Sequence, residues 1–267
     1  MDRIAEELGM DAYQFRLKNV MRQGDSSPIG RHWEKIKALE TLEAAGQAAD
    51  LDKQLPENTG RGMAMTDLVQ GTGQFAAKIG LTNQGSPELH MAFWDTGTGS
   101  HTVLRQMVAE ELTLNTSDIR IVLENTENMP YSSGSGGSRV TYTAGQAVVG
   151  AARELRSKLV KAASPLLDAP QEQVSMENGR LVAAGRSLTI ADVVARTDGE
   201  ELSGQISITS DAPEITSFCT QIAEVHVDEE TGKVTVNKIV SAHDIGTILN
   251  PLNHQGQVEG GMIQGLG

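Results

Sequence analysis

A single cysteine, Cys219, occurs in 267 residues. No disulfide can form within such a chain, which fits a reducing compartment. Nor can it build an iron–sulfur cluster by itself, because such clusters take about four thiolate ligands. Aromatic residues are scarce, at 3%, so close backbone packing must replace some aromatic bulk; 28 glycines are available for it. No apolar run approaches the ~20 residues that cross a bilayer as a helix, and the N-terminus lacks the apolar core of a secretory signal. Basic residues are outnumbered, 22 Lys+Arg against 35 Asp+Glu, for a net charge of −13. Acidity spread in this way argues against nucleic acid or membrane as a partner and suits a solvated cytoplasmic surface. The six histidines show no HxxxH spacing, and there is no CxxC, so no zinc or iron is expected on side chains. No serine occupies a nucleophile elbow, which leaves a hydrolase triad unsupported.

What is present is a mixture of helix and strand patterns. Residues 2–22 carry apolar residues at helical spacing, with a stop at Gly9 and an N-cap restart at Asp11. Trp33–Ala49 reads as a second helix, and residues 55–62 as a linker containing Pro56 and Gly60. Beyond it, 63–77, 81–82 and 88–94 read as strands, and a helix follows residue 102. Residues 117–124 alternate as a strand. The next helix carries Ala144, Val148, Ala152, Leu155 and Leu159 and is expected to end before Pro165. A hairpin is expected around Glu177-Asn178-Gly179, a short helix over 188–195 capped by Thr189, and strands over 205–210, 218–227 and 233–242. The irregular order predicts an α+β fold of mixed sheets with packed helices, with a helical lead-in over 1–59 and an α+β domain, incomplete at its C-terminal end, over 60–267.

Three glycine-rich elements stand out: Thr96–Thr102, Ser132–Arg139 and Gly256–Gly267. The first two run into helix N-termini, where unpaired N–H groups and a partial positive charge suit anions. Small hydroxyls add donors, and Arg139 offers a bidentate one. Taken alone, the second element also fits a solvated Ser/Gly linker. The third reads as a helix whose glycines each cost about 1 kcal/mol relative to alanine, which calls for close contact with another backbone or a ligand. No dinucleotide or P-loop signature fits: the first loop lacks a third glycine, and no Gly-Lys-Ser/Thr follows any loop. His101 is a possible ligand contact within its loop. His243 and His254 read as structural, and Glu110, Glu111 and Glu124 as surface charges. Glu259 is the sole acid close to candidate ligand backbone.

In order and spacing these elements resemble the molybdenum-cofactor-binding subunit of the xanthine dehydrogenase and aldehyde oxidase family. The first loop is similar in Gly97-Thr98-Gly99 with His101-Thr102, Gln106 and Ala109-Glu110. The second is similar in Asn125-Thr126 through Pro130, Gly136-Gly-Ser-Arg139, Thr141 and Gly145-Gln-Ala-Val148. The third is similar in Asp244-Ile-Gly246, Asn250-Pro251 and Gly256-Gln-Val-Glu-Gly-Gly261. Leu8-Gly-Met-Asp11 to Arg16-Leu-Lys-Asn19 resembles the helix preceding the second half of such subunits, so the resemblance covers the whole chain. It implies the fold of the second molybdenum-cofactor-binding domain of xanthine dehydrogenase.

It implies further that the metal is held by a pyranopterin, in plain or cytosine-dinucleotide form, and not by side chains. The cofactor-binding residues implied are Gly97, Thr98, Gly99, His101, Thr102, Gly136, Gly137, Ser138, Arg139 and Gln257. The activity implied is oxidation of an aldehyde or N-heterocycle with oxygen from water. The 2Fe–2S clusters and FAD belong on partner domains or subunits. The family's catalytic glutamate is expected beyond Gly267 and its first cofactor-binding half upstream of Met1, so this chain has no catalytic residue of its own, partners the rest of the subunit and is inactive alone. Thr98 stands where the family has glutamine. Two alternatives remain open: a noncatalytic assembly module without cofactor, and an unrelated phosphate-binding enzyme.

Overall fold

In the computed structural model, which describes every residue except Arg31, Thr126, Pro130, 198–201 and 211–215, the chain starts with α1 (Asp2–Glu7) and α2 (Ala12–Asn19). The Asp11 carboxylate accepts from the amides of Tyr13 and Gln14, 2.9 Å each, as an N-cap should. There follow α3 (Ala38–Ala49), β1 (Thr59–Val69), β2 (Gln74–Leu81), β3 (Pro87–Met91), α4 (Ser100–Leu112) and β4 (Arg120–Leu123). A π-helical turn, Val140–Ala144, leads into α5 (Gly145–Leu167). Then come β5 (Ser175–Glu177), β6 (Arg180–Ala183), β7 (Arg186–Thr189), α6 (Ile190–Val194), β8 (Gly204–Thr209), β9 (Thr216–Val227), β10 (Val234–Asp244) and α7 (Pro251–Leu266). The expected α+β class holds.

Two compact units form, one of Met1–Gln70 with Pro213–Thr247, the other of Gly71–Ala212 with Ile248–Gly267. The expected boundary at residue 60 therefore does not separate them. The reason is physical: α3 is amphipathic and needs a sheet to cover it. That sheet is β1–β9–β10, antiparallel throughout, most of it distant in sequence. Ala45 and Ala49 of α3 pack with Ile222, and Thr41 Oγ1 meets Thr220 Oγ1 at 3.2 Å. Helix α3 begins at Ala38, not Trp33, because Trp33 is drawn into an edge-on contact with Phe218, ring centroids 5.7 Å apart. The other face of this sheet carries Cys219, Ser241 and His243. There Ser241 Oγ lies 2.7 Å from His243 Nε2, and Cys219 Sγ lies 3.7 Å from both.

The second unit is built on the sheet β4–β3–β2–β8, in which only β3 and β4 run parallel. Helix α5 covers it, burying Ala147, Ala151, Leu155 and Leu159 with Phe75, Ile79, Leu89 and Met91 of the strands. Helix and strand approach so closely that a Cβ on Gly204 would strike the Ala151 carbonyl oxygen. The strand expected over 63–77 is broken at Gln70–Gly73, where the Gly71 amide donates to the Gly137 carbonyl at 2.7 Å. Helix α5 does not stop before Pro165 but runs on to Leu167. Proline removes one backbone bond, but burial of Leu167 stabilises the last turn by roughly 2 kcal/mol. The small sheet β5–β6–β7 contains the expected hairpin, with Asn178 and Gly179 at φ 47° and 68°. Thr189 caps α6 in a capping box with Asp192.

Candidate cofactor site

Strand β3 delivers the chain to Phe93, 4% exposed, whose ring stands edge-on to Phe75 at 5.5 Å and to His101 at 6.3 Å. With that anchor set, the chain turns at Asp95. Its Oδ1 accepts from the amides of Gly97 (2.9 Å) and Gly99 (3.2 Å) and from the Thr98 hydroxyl (3.4 Å); its Oδ2 accepts from the His101 amide (3.1 Å). Gly97 and Gly99 take φ 98° and 77°, a left-handed region that glycine enters without a Cβ clash. Partial burial would raise the Asp95 carboxyl, but the amides of His101, Gly97 and Gly99 outweigh it and hold the group below its ordinary range. The His101 ring nitrogen Nε2 lies 3.3 Å from the Phe93 carbonyl oxygen. Thr98 and Thr102 are exposed.

The second glycine element is tied to β2 and to the first loop. The Gln74 amide donates to Ser133 Oγ at 3.0 Å, and the Ser133 amide to the Gln74 carbonyl at 2.8 Å. Ser135 Oγ donates to the Trp94 carbonyl at 3.1 Å, so the two loops adjoin. Arg139 turns inward. Its Nε donates to the Gly134 carbonyl (3.0 Å), Nη1 to Thr72 (3.1 Å) and Nη2 to Ser133 (2.5 Å). It is thus a clamp on three carbonyls, where the sequence pattern pointed to a bidentate anion donor. Gly136, Gly137 and Ser138 are exposed beside it. Thr126 and Pro130, quoted in the resemblance, lie outside the described residues.

The third element reaches the first at Asn253. Asn250 caps α7 by accepting from the Asn253 amide, and the Asn253 side chain lies over Gly99, where a Cβ would collide with it. The rest of α7 departs from expectation. Gly256, Gly260, Gly261 and Gly265 have nothing within 4 Å of where a side chain would begin, so no described neighbour offsets their helical cost. Gln257 is exposed, and Glu259 is exposed and accepts from Gln255 at 2.7 Å. Asp244, from the third motif, belongs to the other unit, where it accepts from the Lys37 amide. Glu124, expected as a surface charge, is instead bonded to His90 at 2.8 Å, which with Asn128 holds its carboxyl low.

Several residues that matter here escaped the sequence pattern. Asp95, two residues before the first glycine of Gly97-Thr98-Gly99, carried a usable signal, since aspartate commonly bonds backbone two residues ahead. Ser135 lies inside the second glycine element, but its partner Trp94 and the approach of Asn253 to Gly99 span long separations that no local pattern marks. Ser100 and Thr143, 5% and 0% exposed, have hydroxyls without a hydrogen-bond partner among the described residues. They sit in the first turn of α4 and in the π-turn before α5. Buried unpaired hydroxyls cost free energy, and two of them in the elements flanking the glycine loops fit a group rich in hydrogen-bonding atoms. No group of three or more His, Cys, Asp or Glu side chains suited to a metal occurs among the described residues. No described helix is long and apolar enough to cross a membrane.

The geometry gives an α+β unit whose glycine loops are tied to one another, and comparison with known proteins supplies the family. Residues 37–267 match the family model of the molybdopterin cofactor-binding domain. The putative xanthine dehydrogenase molybdenum-binding subunit XdhA of Escherichia coli K12 is 30% identical over 291 residues, covering 100% of this chain and 39% of its own length. The aldehyde oxidoreductase of Megalodesulfovibrio gigas is also 30% identical over 291 residues, covering 100% of this chain and 30% of its own length. Among solved structures, quinoline 2-oxidoreductase from Pseudomonas putida 86 superposes with a TM-score of 0.82 at 22% identity, over 97% of this chain and 38% of that one. This chain belongs to the molybdopterin cofactor-binding family of xanthine dehydrogenase and aldehyde oxidoreductase molybdenum subunits. It spans 39% or less of these two relatives' length.

Proposed function

We propose that this chain forms part of the wall holding the molybdenum–pterin cofactor of a hydroxylase acting on an aldehyde or an N-heterocycle. The observation that carries the reading is the pair of contacts joining its glycine elements, Ser135 to Trp94 and Asn253 to Gly99. The names of the two relatives, one a putative xanthine dehydrogenase subunit and one an aldehyde oxidoreductase, support that choice of substrate class. When bound, the cofactor supplies transfer of oxygen from water and accepts two electrons, which pass to 2Fe–2S and FAD groups on partner domains or subunits. The residues of this chain bind and orient. Thr98, exposed in the first loop, and the buried hydroxyls of Ser100 and Thr143 offer hydrogen bonds. Gly97, Gly136 and Gly137 let ligand atoms approach main chain, and Gln257, Thr102 and Ser138 present polar groups from exposed positions. His101 and Arg139 hold the loops in shape. No acid of this chain is assigned as a base, and the chain alone turns over no aldehyde or purine.

One fact favours a second reading, a noncatalytic assembly module: Asp95 and the loop carbonyls already engage donors that a ligand would use. Co-expression with the remaining part of the subunit separates the two. Molybdenum by mass spectrometry and pterin by fluorescence should both be stoichiometric in the purified complex. Paired Ser100→Ala and Thr143→Val substitutions should lower them. Molybdenum absent from the wild-type complex would make the chain a scaffold.

A further inference from the structure

Helix N-termini attract anions because their first amides point outward unpaired. In α4 that position is taken. One carboxylate, Asp95, receives the amides of Gly97, Gly99 and His101 together with the Thr98 hydroxyl, at 2.9, 3.2, 3.1 and 3.4 Å. The charge comes from the residue that opens the loop, so the anion is bound at fixed effective concentration. A phosphate approaching the same amides would have to displace it or sit beside a like charge.

We propose that Asp95 is a built-in anion that shuts the N-terminus of α4 to phosphate, making it a positioning and specificity residue. The first glycine loop then meets its ligand through uncharged groups, Thr98 and Ser100, and the phosphate groups of that ligand seat elsewhere. Only this consequence rests on the cofactor reading above; the closure itself is a property of the cofactor-free chain.

The test uses the cofactor-free chain and inorganic sulfate, followed by NMR at the amides of Gly97, Gly99 and His101. Wild type should show no saturable shift at these amides. Asp95→Ala removes the internal anion and should gain one. Asp95→Asn, neutral but still an acceptor, should bind more weakly than Asp95→Ala and more strongly than wild type. Asp95→Glu should restore exclusion, a rescue that a merely structural role would not produce in this readout. If Asp95→Ala fails to fold by circular dichroism, Asp95→Asn against wild type decides alone. Equal sulfate binding in wild type and a folded neutral variant, or none in either, overturns the proposal. The cofactor reading fails separately, through absent molybdenum in the complex, whatever sulfate does.

Discussion

Ser135 Oγ donates to the carbonyl oxygen of Trp94 at 3.1 Å, a bond between residues 41 positions apart. Trp94 immediately precedes the aspartate that organises the first glycine loop, and Ser135 lies at the middle of the second. The bond therefore fixes the distance between two segments that would otherwise be independent surface loops.

Replacing Ser135 by alanine should cost about 1 kcal/mol of stability, the net worth of one exposed hydrogen bond. Urea denaturation measures the loss. Hydrogen exchange should rise at residues 95–99 as well as at 133–137, and a rise confined to the second loop would mean that the bond couples nothing.

Arg139→Lys should fail to replace arginine. A planar guanidinium reaches the carbonyls of Gly134, Thr72 and Ser133 together, whereas an ammonium on a flexible stem cannot span all three. The expected loss is about 2 kcal/mol, read as a lower denaturation midpoint. Full retention of the midpoint by lysine would show that charge alone matters.

Two glycines should respond in opposite directions to alanine. Gly204→Ala drives a methyl into the Ala151 carbonyl and should destabilise by about 3 kcal/mol through overpacking. Gly260→Ala meets nothing within 4 Å and should stabilise α7 by about 1 kcal/mol. Thermal melts of the two variants in this chain provide the check. Destabilisation by Gly260→Ala would reveal close packing on α7.

Acid should weaken the second unit through Asp95. Its folded carboxyl lies below the ordinary range, so folding favours the charged form. That contribution is present above the unfolded pKa and is lost as pH falls through the depressed folded value. After the backbone amides, His101 acts electrostatically in the same direction on the Asp95 carboxyl. Urea midpoints measured on acidification should fall more steeply for wild type than for Asp95→Asn; parallel curves would contradict the assignment.

Cys219 should label slowly. Burial pushes its thiol up, only partly opposed by the hydrogen bond to Ser241, and the thiolate is the reactive form. Iodoacetamide at neutral pH should modify the folded chain more slowly than free cysteine, with the rate rising at higher pH. The chain has no other cysteine, so the mass shift is unambiguous.

Where the physics is local, the sequence is readable. Asp11 and Thr189 cap helices through bonds to amides two or three residues on, and Asn178-Gly179 closes its hairpin with two positive φ angles. The glycine loops were visible for the same reason. What escaped depends on distant partners. Helix α3 starts late because Phe218 claims Trp33. The lead-in helices join β1 because β9 and β10 complete the sheet beneath α3. Pattern alone marked Arg139 and the amides near Gly97 as ligand groups. The carbonyls and the carboxylate that occupy them became visible only once Thr72, Ser133 and Asp95 had positions in space.

The central claim is that the glycine elements converge on one cofactor. Hydrogen exchange, compared between cofactor-loaded and cofactor-free complex, tests it most directly. Protection on loading should appear together at residues 96–102, 132–139 and the first turns of α7. Protection missing from all three, or confined to residues 1–70, would contradict the account.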